Sequence, residues 1–477
     1  MTIMGKLSLG EKYALKVFHD TAVNVPAYRD FLKKHKVRHL SIKKIRDFEK
    51  LPITSKEDYI DKYPLESLVR KGSLADQKII NTSSGTTGKP YYWPNDPQDI
   101  TRGADIHELI FRESFRIQNQ KTLIIICFGM GTWIAGNFTF LTSYFIAKKN
   151  YKITIMTPGF NKKESIEIIK RISPKYDQTI IAGIPTFIKD LLDECKDKKI
   201  LKQNKIKLLF AGEAFPESWR DHIMNILPGS NYYADSVSIL GSADASLMGF
   251  ETPFSILIRK LAALDNELNN ILFESDRIPT LVNYFPDHRY FEAQQGELLV
   301  TLERSIPLIR YNIHDSGGIL SHDELNSRLS KAGYTAGQYI RKYHISKPIQ
   351  LPFVYIFGRG KFSATLYGVN IYAENVKEVL LQRSIRNLVT GRVKMATSFD
   401  QNHNQFLDLK IELSKKRKND PKLTKKLADL FVHVVSQLNK EYNRMYEEYG
   451  NKARPKITLY EYNNKEFFDN EKPIKTA

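Results

Sequence analysis

Four apolar runs of strand length punctuate the middle of the chain: TLIIICF near residue 125, YKITIMT near 155, TIIAGIP near 182 and KLLFAGE near 210. Between them, residues 163–172 and 186–196 have helix-compatible spacing with Pro or Gly at their edges. Alternation of this kind predicts βαβ units and a parallel sheet with helices on both faces. From about residue 290 the texture changes, and GELLVTL and PLIRYNI read as antiparallel strands joined by turns. A late boundary falls at the GRGK stretch, residues 358–361. Beyond it, FLDLKIEL and KITLYEY read as strands, and residues 421–450 read as one long amphipathic helix. Its stripe is Leu427, Leu430, Phe431, Val434, Leu438, Tyr442 and Met445. The expected fold class is α/β: a large N-terminal domain of parallel and mixed sheets flanked by helices, over residues 1–357, and a small α+β domain over 362–477.

Composition removes several other classes. With 477 residues, 42% of them hydrophobic and 26% charged, the chain has ordinary globular composition and length for more than one core. Cys127 and Cys195 are too few for a disulfide framework or a cysteine-rich zinc site, so the thiols are expected to be structural and the protein cytoplasmic. The N-terminal stretch breaks its apolar residues with charges every few positions, which is a helix pattern rather than a secretory signal. Residues 122–147 lack Asp, Glu, Lys and Arg, but Gly129, Gly131, Gly136 and Asn137 divide them into a strand, a turn and a helix, so no transmembrane segment is expected. The net charge of +19 draws anions in general, and the KKRK cluster at 415–418 reads as a solvated turn, so no nucleic-acid partner is expected. No G-x-S-x-G elbow, G-x-G-x-x-G fingerprint or clustered His spacing is present.

The stretch Asn81-Thr82-Ser83-Ser84-Gly85-Thr86-Thr87-Gly88-Lys89-Pro90 packs hydroxyls, glycines and a lysine into a few residues. Backbone N–H groups, O–H donors and a cation in a turn are what phosphate oxygens require, although polar linkers share the composition. The P-loop pattern GxxxxGK[ST] fails twice, with Ser83 at the first Gly position and Pro90 after the lysine. The stretch does resemble the phosphate loop of the adenylate-forming superfamily, [ST]-[ST]-G-[ST]-[ST]-G-x-P. Other motifs of that superfamily follow in order: LLFAGEAFPESWR at 208–220, LGSADASLMGFE at 240–251, GELLVTLERSIPLIRYNIHDSGG at 296–318 and VYIFGRGKFSATLYGVNIYAENVKEVL from 354. The wording is close to the phenylacetate-CoA ligase branch.

The resemblance implies a two-step reaction: a carboxylate attacks the α-phosphorus of ATP to give an acyl-adenylate, and a thiol then displaces AMP. It places Ser83, Ser84, Gly85, Thr86, Thr87, Gly88 and Lys89 around the phosphates. Gly212, Glu213 and Ala214 fall at the adenine turn, Gly241 and Ser242 beside it, Asp315 on the ribose hydroxyls, and Arg359 on ribose or phosphate. Magnesium would be held by Asp244, where the family carries Glu. Leu240 stands where an aromatic usually meets adenine, with Tyr232 or Tyr233 as substitutes, and His314 replaces the family's glycine. Residues 358–361 form the implied hinge, with Lys361 as pivot. The C-terminal catalytic lysine would be Lys472 or Lys475, with Lys465 behind them, because the usual Gly-Lys pair is missing. Phe128, Trp133, Ile184 and Pro185 fall where the family builds its acyl pocket for a small-molecule carboxylic acid, and ordinary core packing explains them as well. Gly368 resembles the glycine past which the pantetheine arm of coenzyme A runs. A carrier protein or an amine is the alternative acceptor, a homodimer is common among similar enzymes, and a basic nucleic-acid or membrane-surface binding protein is the reading of another class.

Overall fold

The apolar runs become strands because their residues are buried on both faces, as parallel strands covered by helices must be. The computed structural model describes residues 8–83, 91–195, 198–346, 348–359 and 363–464. The chain divides into two compact units, one drawn from Met1–Thr82 and Tyr92–Gly358 and the other from Ser83–Tyr91 and Arg359–Ala477. The strands up to residue 359 are β1 (Ile79–Ser83), β2 (Tyr91–Asn95), β3 (Thr122–Cys127), β4 (Ile153–Met156), β5 (Gln178–Gly183), β6 (Ile206–Ala211) and β7 (Ser236–Ser242). They continue with β8 (Ser246–Phe250), β9 (Thr280–Asn283), β10 (Tyr290–Gln294), β11 (Glu297–Leu302), β12 (Leu308–Leu320) and β13 (Phe353–Arg359). An eleven-stranded mixed sheet takes the order β10-β11-β12-β13-β9-β8-β7-β6-β5-β3-β4, and β1 and β2 form a separate pair.

The half from β7 to β4 is parallel throughout. Every residue of β3 and β5 is buried. The uncharged stretch at 122–147 is β3, a glycine-containing connection and the helix Ile134–Ala147. Among the described residues no helix is long and apolar enough to cross a membrane. The expected N-terminal helix is Leu9–Asn24; Ser8 accepts from the Glu11 N–H at 3.2 Å while Glu11 accepts from the Ser8 N–H at 2.7 Å. Both thiols are buried, and burial pushes the Cys127 thiol up to about 12, consistent with an inert structural role.

A four-membered ion cluster lies wholly inside this unit, beside the end of β8. Arg220 meets Glu217 at 2.9 Å and Glu251 at 2.7 Å, and Arg259 meets Glu217 at 2.8 Å and Glu251 at 3.0 Å. The remaining guanidinium N–H groups donate to the Ser236, Pro279 and Phe215 carbonyls. Each of the six guanidinium nitrogens therefore has an acceptor, which is the condition for tolerating buried charge.

The second unit carries β14 (Ser363–Leu366), β15 (Val369–Tyr372), β16 (Val389–Phe399), β17 (Gln405–Leu413) and β18 (Lys456–Tyr460). Gly368 lies in the turn between β14 and β15. Strands β16, β17 and β18 make a three-stranded sheet in which β18 runs parallel to β17. The residues expected as one helix at 421–450 are two, Pro421–Leu438 and Lys440–Tyr449. Asn439 is extended, accepts from the Glu441 and Tyr442 N–H groups at 3.1 Å, and donates to the Asn370 carbonyl at 3.0 Å. Its side chain outcompetes the helical path and caps the second helix, which stabilises by about 1 kcal/mol. Leu427, Phe431, Val434, Tyr442 and Met445 enter the core and Leu430 packs at its edge, whereas Leu438, at the break, is 36% exposed.

Candidate active site

Strands β7, β6, β5 and β3 lie side by side and parallel, so their carboxyl ends share one edge of the sheet. Open parallel sheets bind ligands along that edge. Gly241 and Ser242 end β7; Gly212, Glu213 and Ala214 leave β6; Ile184 and Pro185 leave β5; Phe128 follows β3. Gly212 has φ +88°, a left-handed conformation that lets the chain turn sharply out of the sheet. Glu213 is buried, and its carboxylate accepts from the Thr186 N–H at 3.1 Å and the Thr186 hydroxyl at 2.8 Å. It thereby caps the first turn of the helix Pro185–Glu194 and faces the positive end of that helix. Gly212 and Ala214, on either side of the buried Glu213, are exposed. Phe128, Ile184 and Pro185 are buried and Trp133 is partly exposed.

The glycine-rich stretch leaves β1 at Ser83, which is partly buried. Its root is fixed beside Trp133: the Thr82 N–H donates to the Thr132 carbonyl at 2.9 Å, and the Thr82 hydroxyl to the Thr132 hydroxyl at 2.9 Å. Ser84, Gly85, Thr86, Thr87, Gly88 and Lys89 lie outside the described residues, as do Lys361, Lys465, Lys472 and Lys475. Arg359 ends β13, and only its backbone is described.

Asp315 owes its position to an irregularity in β12. Leu299 pairs with Asn312 but Glu297 pairs with Ser316, so two extra residues of β12 bulge between those pairs. A bulge re-aims side chains out of the ladder, and here it holds Ile313, His314 and Asp315, with His314 at φ +58°. Asp315 is partly exposed. The bulge closes at Gly317, where a Cβ would stand 2.0 Å from the Tyr355 carbonyl oxygen, so no larger residue fits. His314 lies 3.5 Å from Glu57, and this hydrogen bond is the largest influence holding the Glu57 carboxyl down to about 2.

Asp244 sits in the turn between β7 and β8. One carboxylate oxygen accepts from the Ser242 hydroxyl and from the Ala245 N–H at 3.1 Å. The other accepts from the Tyr311 hydroxyl at 2.8 Å and meets the Lys56 ammonium at 3.3 Å. Arg304 is buried beneath the turn and donates to the carbonyls of Ala243, at 3.0 Å, and Asp244. Burial, first among its influences, lowers its pKa, though a guanidinium stays charged. The indole of Trp93 lies 5.9 Å from Lys56 and 5.5 Å from Arg304. Lys56, Arg304 and Tyr311 reach Asp244 through pairing across the chain, and Trp93 joins them through Lys56 and Arg304; Arg304 and Tyr311 lie in the 296–318 motif, but nothing in its wording marks them as partners of Asp244.

Tyr232 and Tyr233 do not substitute for an aromatic at Leu240. They precede Ser236, at the amino end of a strand whose carboxyl end carries the site, roughly 20 Å away by strand rise. Tyr232 donates to Glu217 at 2.8 Å and Tyr233 packs on Tyr343.

No protein-family model matches the chain. Phenylacetate-coenzyme A ligase of Escherichia coli (strain K12) is 23% identical over 309 residues, which span 64% of this chain and 64% of that protein. A solved 2-hydroxyisobutyryl-CoA ligase, in complex with 2-HIB-AMP and CoA in the thioesterification state, superposes with a TM-score of 0.60 at 16% identity, over 95% of this chain and 86% of that one. An open conformation of the same ligase gives 0.54, at 16% identity over 95% and 87%. The chain has the adenylate-forming fold.

On that fold the motif resemblance assigns magnesium to Asp244, and the donor set can be tested against it. A carboxylate offers about four lone-pair positions. At Asp244 they face four protein donors: Ser242, Ala245, Tyr311 and Lys56. A hard cation needs oxygen ligands rather than an ammonium at its carboxylate, and among the described residues no group of three or more His, Cys, Asp or Glu is clustered for a metal. The residues present do not fit direct ligation of magnesium by Asp244.

Proposed function

We propose that the protein activates a small-molecule carboxylic acid with ATP, forming an acyl-adenylate and pyrophosphate, and then transfers the acyl group to the thiol of coenzyme A with release of AMP. The observation that carries this reading is the shared edge: the β6 exit, the β7 tip, the β5 exit and the end of β3 meet where a nucleotide and an acyl group would lie side by side. The similarity to two CoA ligases supports coenzyme A as the acceptor.

In this reading backbone groups of Gly212, Glu213 and Ala214 meet adenine and the bulged Asp315 takes the ribose hydroxyls as a bidentate acceptor. The hydroxyls and N–H groups of Ser83, Ser84, Thr86 and Thr87, with Lys89, hold the phosphates. Gly85, Gly88, Gly241 and Ser242 let backbone approach the nucleotide, and magnesium arrives on the phosphates as part of the substrate. Phe128, Trp133, Ile184 and Pro185 wall the acyl group and exclude water. Preorganised donors aimed at the developing charge supply most of the rate. Arg359 contacts the ribose or phosphate, Lys361 is the pivot of a hinge at 358–361, and Lys472, with Lys475 behind it, neutralises charge during adenylation.

ATP–pyrophosphate exchange measured across a panel of aromatic and aliphatic acids tests the first step, and thioester formation on adding coenzyme A tests the second. Acid-dependent exchange followed by CoA-dependent AMP release is the expected result; absence of exchange with every acid, at demonstrated ATP binding, removes the reading.

A further inference from the structure

We propose that Asp244 is the counter-ion of Lys56 rather than a metal ligand, and that Lys56 is a further nucleotide-contacting residue whose ammonium supplies positive charge at this point of the site. The proposal rests on the adenylation reading for the identity of its ligand, a nucleoside polyphosphate.

The first ground is the carboxylate itself. Its lone pairs face Ser242, Ala245, Tyr311 and Lys56, and only Lys56 among those donors is charged.

The second ground is how Lys56 gets there. It comes from a segment that adds itself to β12: Thr54 donates through its N–H to the Arg310 carbonyl at 3.2 Å and through its hydroxyl to the Ile309 carbonyl at 2.8 Å, while its own carbonyl accepts from the Asn312 N–H at 2.8 Å. On the other side of Lys56, Glu57 pairs with His314 in the bulge that carries Asp315. Lys56 is thus pinned before and after, and its side chain is only 19% exposed.

The third ground is charge. Lys56 and Arg304 flank Trp93, and Trp93 follows Tyr91 by two residues, where the chain returns from the glycine-rich stretch. Arg304 lies among the Asp99, Asp244 and Asp96 carboxylates and bonds the turn only through the Ala243 and Asp244 carbonyls. Arg304 is buried, and its Nε and Nη2 groups have no hydrogen-bond partner among the described residues. Buried donors without an acceptor are rare in folded chains and mark places where an anion or ordered water completes the arrangement. Unmet guanidinium donors sharing one indole with the Lys56 ammonium fit an anionic, oxygen-rich ligand such as a polyphosphate.

Equilibrium binding separates this from metal ligation without turnover. Wild type, Lys56→Met, Lys56→Arg, Asp244→Asn and the Lys56→Met/Asp244→Asn pair are titrated with manganese alone, followed by electron paramagnetic resonance, and with ATP in EDTA, followed by calorimetry. The expected results are no Asp244-dependent manganese site in wild type, and a new one in Lys56→Met that the second substitution abolishes. ATP affinity without metal should fall at least tenfold in Lys56→Met and largely return in Lys56→Arg, whose retained charge also guards against a folding artefact. Manganese bound by wild type and lost in Asp244→Asn overturns the proposal, and so does unchanged ATP affinity in Lys56→Met. A wild type that binds no ATP sinks the adenylation reading and the nucleotide role with it, while the manganese arm still decides the pairing.

Discussion

Two charged clusters sit at opposite ends of the β7–β8 hairpin and make opposite use of buried charge. At the base, Glu217 and Glu251 face Arg220 and Arg259, two anions against two cations, and every guanidinium nitrogen has an acceptor. At the tip, the Asp244 carboxylate pairs with Lys56, Arg304 donates only to main-chain carbonyls, and two of its guanidinium nitrogens lack acceptors among the described residues. A closed charge balance has nothing left for a ligand, so the base cluster locks the helices Glu217–Ile226 and Pro253–Leu264 to the sheet. A guanidinium with unmet donors has hydrogen-bonding capacity to spare. Sequence composition treats these residues alike, and only their partners tell scaffold from site.

Four substitutions test this division between scaffold and site. Arg220→Met leaves two buried carboxylates to share the single Arg259 guanidinium and should cost about 3–5 kcal/mol of stability in denaturant unfolding, with ATP affinity of the folded protein unchanged. A loss of nucleotide binding at full stability would move the base cluster into the site. Arg304→Met leaves the Ala243 and Asp244 carbonyls without their donor, so a smaller loss of about 1–3 kcal/mol is expected, together with weaker ATP binding. If its stability cost matches that of Arg220→Met and ATP binds normally, the tip is scaffold too. Asp315→Ala, at a partly exposed bulge, should raise the ATP requirement about tenfold, equivalent to about 1.4 kcal/mol, at an unchanged unfolding midpoint. Unaltered ATP dependence at normal activity counts against the ribose role. Glu213→Gln weakens a helix cap and should remove about 0.5–1 kcal/mol while sparing nucleotide affinity. A larger effect on ATP than on stability would mean that this carboxylate turns toward the ligand.

What could be read in advance divides along the same sheet. Strands β3, β5 and β6 announce themselves because burial on both faces demands unbroken apolar runs such as TLIIIC. The helix break at Asn439 was missed because the apolar stripe continues across it; the competing signal is a single side chain that prefers to cap. At the site, the motif residues at 212–214 and 241–244 sit at strand ends or in the turn between strands, where local sequence decides conformation, whereas Asp315 sits in the bulge within β12. Lys56, Tyr311 and Arg304 depend on register: a shift of β12 by one residue would turn Tyr311 away from Asp244. No local pattern carries that information.

Thr54 and Ile309 are 255 residues apart. At roughly 5–20 residues per second, translation takes roughly 13–50 s to deliver the second after the first. For that interval the nascent chain can already hold β3 to β7, but residues 54–57 have no β12 to join and Lys56 has no fixed position. A chain arrested before residue 308 should therefore bury its parallel strands while residues 54–57 stay unanchored, and on the proposed role of Lys56 it should bind ATP more weakly than the full chain.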